Sequence, residues 1–312
     1  MACIEATPGK ARIGWIGTGV MGVRMCENLL KKGFTLSVHT RTPSKAVPLQ
    51  QLGASVVSTA QEVAERSDIL CLMVGTPADV KKVLFGPQGA AIGLRSGCCL
   101  IDFTTSDPAL AEEVYVHLKS KGVHALDAPV SGGDIGARDG TLTVMAGGDP
   151  EALEAVRPLF NALAKTVMHA GPAGSGQKTK LANQITLCTN LVGLAEGLLY
   201  AERAGLDLEK TLAVLMGGAA TSWSVETYGP RVLAGNFNPG FAVAHLLKDL
   251  RLALAEAARI KLALPGLSLA LQLYEALEAQ GGGVLGVHAL KLALQSLNSA
   301  DQRITDVAAQ TQ

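Results

Sequence analysis

Residues 12–25, RIGWIGTGVMGVRM, constrain the fold more than any other part of the chain. An apolar run of strand length passes directly into Gly17-Thr18-Gly19-Val20-Met21-Gly22, and an amphipathic helical pattern follows. Three glycines spaced G-x-G-x-x-G between a strand and a helix mark the first turn of a βαβ unit. The first glycine permits the tight turn, the second lets a bound group approach the backbone, and the third lets helix and strand pack closely.

The alternation persists through the first half. Apolar runs at 35–39, 69–74, 98–103 and 123–128 have strand length, and helical segments lie near 20–32, 44–52, 60–66, 78–84 and 107–120. Such a pattern predicts a mostly parallel, doubly wound sheet. Runs at 141–147 and 166–171 extend its far edge. After Gly171 the segment GPAGSGQ reads as a glycine-rich hinge, and nothing beyond it reads as a strand. A long helix over 177–203 looks apolar nearly all round, as a helix buried between domains would. Further helices are expected near 207–216, 222–233, 242–261, 266–279 and 284–298. The expected architecture is an α/β Rossmann-type doubly wound domain (1–171), joined by a long interdomain helix to an all-α domain (172–312).

Composition narrows the function classes. Lys plus Arg is 27 and Asp plus Glu is 27, so no basic excess exists to neutralise a nucleic-acid backbone. At 48% hydrophobic and 17% charged residues, the chain is built to bury a core. The longest apolar stretch, roughly 181–201, is interrupted by Asn183, Gln184, Asn190 and Glu196, which argues against a membrane span. The six cysteines form no CxxC pair, so neither a zinc site nor a disulfide framework is expected, and no metal is called for. No apolar segment of signal-peptide type precedes the first strand, and a mitochondrial presequence would have almost no room. The expected compartment is the cytoplasm.

The glycine loop predicts a dinucleotide, its pyrophosphate on the helix N-terminus. An NAD site usually carries an acid at the end of the second strand for the ribose 2′-hydroxyl. Here that position reads His39-Thr40-Arg41-Thr42, where Arg41 can pair with a 2′-phosphate and the two threonines can donate to it. NADP(H) is therefore favoured over NAD(H).

Three further segments carry chemistry. Ser131, Gly132 and Gly133 follow a strand, and their hydroxyl and unhindered N–H groups would suit a carboxylate at the sheet's C-terminal edge. Lys180, Asn183 and Gln184 are related by i, i+3 and i+4, so they share a face of the long helix. A lysine and two amides on an otherwise apolar helix are costly unless a site uses them. Lys178, two positions earlier, should point elsewhere and stay solvated. In the second half, Phe241, His245, Lys248 and Asp249 belong to an amphipathic helix, where the plain expectation for the last two is an exposed pair worth little.

Taken in order, GWIGTGVMG, DAPVSGG, GSGQKTKLANQ and the Lys248-Asp249 segment resemble the β-hydroxyacid dehydrogenase family over about residues 11 to 300. The resemblance implies reversible hydride transfer between a nicotinamide and a small 3-hydroxyacid or its semialdehyde, in a homodimer or homotetramer. It gives Lys180 the role of catalytic lysine, with Asn183 and Gln184 beside it, and Ser131, Gly132 and Gly133 that of carboxylate-binding loop. Thr105 would touch the nicotinamide ribose and substrate, Met73 and Val74 would line the cofactor, and Phe241, Lys248 and Asp249 would close the site. Many members carry Asn-Asn where this chain has Asn183-Gln184, which resembles the tartronate semialdehyde reductases; Thr-Arg-Thr resembles the NADP-preferring reductases. Alternatives on the same scaffold are an imine or β-hydroxy amino acid oxidoreductase, or a non-catalytic NADP-binding protein. A decarboxylating 6-phosphogluconate-type reaction fits less well, because it needs clustered basic residues.

Overall fold

The computed structural model describes residues 2–298. Contacts divide the chain into two units, Met1–Lys180 and Leu181–Gln312.

In the first unit a nine-stranded sheet runs in the order β3-β2-β1-β4-β5-β6-β8-β7, with β9 on β8. Its strands are β1 (Arg12–Ile16), β2 (Thr35–His39), β3 (Ser55–Val56), β4 (Ile69–Leu72), β5 (Cys99–Asp102), β6 (His124–Asp127), β7 (Val130–Ser131), β8 (Leu142–Gly147) and β9 (Ala164–Gly171). The strands from β3 to β6 are parallel, whereas β8 is antiparallel to both β6 and β7. Parallel strands covered on both faces read as unbroken apolar runs, which is why β4 is ILCL and wholly buried. Alternate residues serve opposite faces: Ile13, Trp15, Ile69 and Cys71 join one core, and Ile16, Leu70 and Leu72 the other.

The helices are α1 (Val20–Lys31), α2 (Val47–Gln51), α3 (Ala60–Glu65), α4 (Pro77–Phe85), α5 (Ala90–Gly93), α6 (Pro108–Lys119), α7 (Gly133–Asp139) and α8 (Pro150–Leu163). Sequence reasoning missed α8, although its buried Ala152, Leu153, Val156, Leu159, Phe160 and Leu163 follow helical spacing; Pro158 inside it masks the pattern. Two-residue β3 and β7 were also missed, being too short to show a period.

A single helix, α9 (Ser175–Arg203), crosses the boundary between the units. It begins inside the expected hinge, and it is not buried all round. Ala182, Thr186, Thr189, Gly193 and Tyr200 are exposed. The helix looked apolar because small residues raise its hydropathy, and small residues do not demand burial.

The second unit continues with α10 (Leu208–Gly217), α11 (Trp223–Leu233), α12 (Val243–Arg259), α13 (Pro265–Ala279) and α14 (Leu290–Asn298). The helix expected over 284–298 is instead a 3₁₀ turn at Val287–Ala289 followed by α14, and another 3₁₀ turn, Gly282–Val284, ends where that helix was expected to begin. Leu191, Leu198, Leu246, Leu250 and Tyr274 form the centre of this core, and the Tyr274 hydroxyl donates to Val287 O at 2.8 Å. His288 stacks between Tyr228 and Phe237 and is held neutral: burial pushes its pKa down to about 4.

Candidate active site

The turn after β1 is built from opposed constraints. Gly17 takes φ +101°, and a Cβ there would lie 2.1 Å from Met73 O; at Gly22 a Cβ would lie 2.0 Å from Gly17 O. Neither position tolerates a side chain, so α1 seats directly on the turn. The indole N–H of Trp15 donates to Gly17 O at 2.9 Å and fixes the turn from beneath. Gly19, by contrast, is exposed with open space around its Cβ position, and it starts α1 without a side-chain cap. Beside it Thr18 Oγ1 is buried and finds no hydrogen-bond partner among the described residues. An uncapped helix start next to an unspent hydroxyl fits a pyrophosphate. Val20 is exposed and Met21 half-buried at the same turn. Met73 and Val74, both half-buried, follow β4; the Met73 N–H donates to Ile16 O and the Val74 N–H to Thr104 Oγ1 at 3.0 Å.

At the end of β2, Thr40 is half-buried and Arg41 and Thr42 are exposed. Sequence reasoning missed the partner of Arg41: Asp79, on the first turn of α4, takes its guanidinium at 3.0 Å and the Thr76 hydroxyl at 2.8 Å. The pair is solvated and weak, and it directs Arg41 while engaging only its Nη1.

Asp127, the last residue of β6, organises the start of α9. Its two carboxylate oxygens accept the N–H groups of Gly174 and Gln177, each at 2.8 Å. Burial pushes this carboxyl up to about 6, against the pull of those N–H donors. Gln177 then spends its side chain on the loop after β5, accepting from Ser106 N–H and donating to Thr104 O, both at 2.8 Å. Thr105, half-buried, lies between these two anchors. Neither Asp127 nor Gln177 was singled out from sequence; an acid closing an apolar strand, HALD, was the available signal. One turn beyond Gln177, Lys180 is only 7% exposed. Lys178 behaves as expected, exposed and paired with Glu112 at 2.8 Å. Ser131 pairs with Thr143 across β7 and β8, and Gly132 and Gly133 take φ of +124° and +63° into α7.

Within the second unit the Gln184 amide donates to Asp249 Oδ2 at 2.6 Å and accepts from Asn183 Nδ2 at 2.8 Å. Lys248 Nζ lies 3.0 Å from Asp249 Oδ1. Asp249 is buried, so the expectation of an exposed pair is wrong: α12 turns Asp249 inward, and the Gln184 amide and Lys248 offset its desolvation. Phe241 packs half-buried against this core. Burial, then Lys248, lowers the His245 pKa, and Asp249 opposes them. All six cysteines are free. Among the described residues no cluster of three metal-ligating side chains occurs, and no helix is long and apolar enough to cross a membrane.

Comparison with known proteins gives a consistent set of relatives. A family model described as the NAD binding domain of 6-phosphogluconate dehydrogenase matches residues 12–171. A second, described as the NAD-binding of NADP-dependent 3-hydroxyisobutyrate dehydrogenase, matches 174–294. The chain is 50% identical over 301 residues to a probable 3-hydroxyisobutyrate dehydrogenase-like 1, mitochondrial, of Arabidopsis thaliana, covering 96% of this chain and 90% of that protein. It is 41% identical over 284 residues to 2-hydroxy-3-oxopropionate reductase of Escherichia coli, covering 91% and 97%. Among solved structures, Mycobacterium tuberculosis 3-hydroxyisobutyrate dehydrogenase with L-serine superposes with a TM-score of 0.84 at 30% identity, covering 91% of this chain and 99% of that one.

Proposed function

We propose that this chain, which belongs to the β-hydroxyacid dehydrogenase family and is an NAD(P)-dependent oxidoreductase, reduces a small semialdehyde acid with NADP(H), using Lys180 as proton donor. The observation that carries the reading is the burial of Lys180 on the helix face it shares with the fully buried amides Gln177 and Gln184. A protein keeps a lysine there only where its charge or its proton is used.

A nicotinamide held at this turn would supply hydride chemistry at the substrate carbonyl carbon. Lys180 supplies the proton to the oxygen that becomes alkoxide, and takes it back in the oxidative direction. Ser131 and the N–H groups of Gly132 and Gly133 hold the substrate carboxylate, and Thr105 orients the reacting end. Gly17, Thr18, Gly19 and Gly22 shape the pyrophosphate turn, Met73 and Val74 line it, and Thr40, Arg41 and Thr42 take the 2′-phosphate. Support for NADP(H) comes from the absence of an acid at the end of β2 and from the exposed, directed Arg41. Gln184, held by Asp249, and Asn183 continue the polar face beyond Lys180.

The test follows the near-ultraviolet absorbance of NADPH, and separately NADH, against glyoxylate, succinic, tartronate and methylmalonate semialdehydes. Consumption of NADPH with one of them is expected. Lys180→Ala should lower kcat by about 10²–10⁴-fold while cofactor binding persists; a variant that keeps most of its turnover refutes the proton-donor role. A second reading, oxidation of a β-hydroxy amino acid, is favoured by the relative solved with L-serine, and adding L-serine with the oxidised cofactors decides it.

A further inference from the structure

We propose that Gln177 is a positioning residue: it clamps the loop carrying Thr105 to the first turn of α9, so that Thr105 and Lys180 are held in fixed register. The inference rests on the reading above, in which both residues meet the substrate.

Gln177 is completely buried, and each half of its amide is spent on one neighbour of Thr105. Ser106 N–H donates to its Oε1 and its Nε2 donates to Thr104 O, both at 2.8 Å. The orientation of the amide is therefore determined, since a flipped group would set donor against donor and acceptor against acceptor. These bonds span 71 and 73 residues of sequence, so they serve no local turn. The backbone of Gln177 is itself tied down, its N–H donating to Asp127 Oδ2 at 2.8 Å. On the loop side Thr104 is secured twice more: its N–H donates to Asp102 Oδ1 at 2.9 Å, and its hydroxyl accepts from Val74 N–H. Lys180 lies three residues after Gln177 on the same helix, hence on the same face. The clamp thus joins the residue that orients the substrate to the residue that protonates it.

Small displacements of reacting groups cost rate more than affinity, and a misplacement of about 1 Å can cost 10²-fold. Gln177→Ala should accordingly lower kcat by about 10–100-fold, with NADPH affinity unchanged and KM little altered. The decisive measurement is a double-mutant cycle with Thr105→Ala on the folded full-length enzyme. If Gln177 acts through Thr105, the double variant turns over no more slowly than the worse single variant. Multiplicative losses overturn the proposal while leaving Thr105 in its role. Wild-type turnover in Thr105→Ala removes both the clamp's purpose and the reading of Thr105 itself. A lowered Tm with unchanged kcat in Gln177→Ala shows mere structural packing and also overturns it. Gln177→Met, nearly equal in volume and unable to make either bond, repeats the cycle where the alanine variant does not fold.

Discussion

Asp127 shows how much one side chain organises. Its carboxylate caps α9 through Gly174 and Gln177, yet burial pushes it up to about 6 from an ordinary value near 3.8. Between those two values the folded chain binds a proton the unfolded chain has released. This group therefore favours folding at low pH, and its contribution is lost as pH rises through about 6, by up to about 3 kcal/mol. Asp127→Asn removes the titration, and its amide sets N–H groups against the helix start. Urea unfolding should find the stability gap between wild type and Asp127→Asn wider at pH 4 than at pH 7; a gap independent of pH rejects the assignment. Residues of this kind resist reading from sequence. Lys180 stood out because it is charged on an apolar helix, but the tasks of Asp127, Gln177 and Asp79 reside in partners 38 to 73 positions away.

At the scale of elements, the strands of the parallel sheet were legible because burial on both faces leaves continuous apolar runs, as in β4 and β5. The helix α9 was legible in extent and misread in environment, since alanine, glycine and threonine look alike whether covered or bare. The turn between β1 and α1 was legible in full: its glycine spacing matches Gly17 in a left-handed conformation and Gly22 against Gly17 O. A methyl group at Gly22 would meet backbone, which cannot swing aside. Gly22→Ala should therefore lift α1 from the turn, costing about 1–3 kcal/mol of stability and much of the affinity for cofactor. Denaturant unfolding and NADPH titration check the two losses independently, and a variant equal to wild type in both contradicts the packing argument.

For the whole molecule, the strand order places β1 between β2 and β4, so the chain reverses its winding where the glycine turn emerges. Open α/β sheets bind ligands at such a reversal. A ligand that binds only the folded chain stabilises it, by about 2.7 kcal/mol at a hundredfold excess over Kd. NADPH should raise Tm more than NADH at equal concentration, and Arg41→Ala should abolish the difference; equal shifts in wild type speak against 2′-phosphate recognition by Arg41.

The chain holds two tryptophans, and they differ in setting. Trp15 is fully buried in the first unit, stacked on Phe103 at 5.6 Å and tied to the glycine turn, whereas Trp223 of the second unit is 49% exposed. A buried indole fluoresces at the blue edge and a wetted one toward the red. One emission spectrum thus carries two colours, one from each unit. Trp15 is tied to the turn on which the cofactor's pyrophosphate is expected to rest, so the blue edge of the emission reports on that turn, and the protein comes supplied with its own optical gauge.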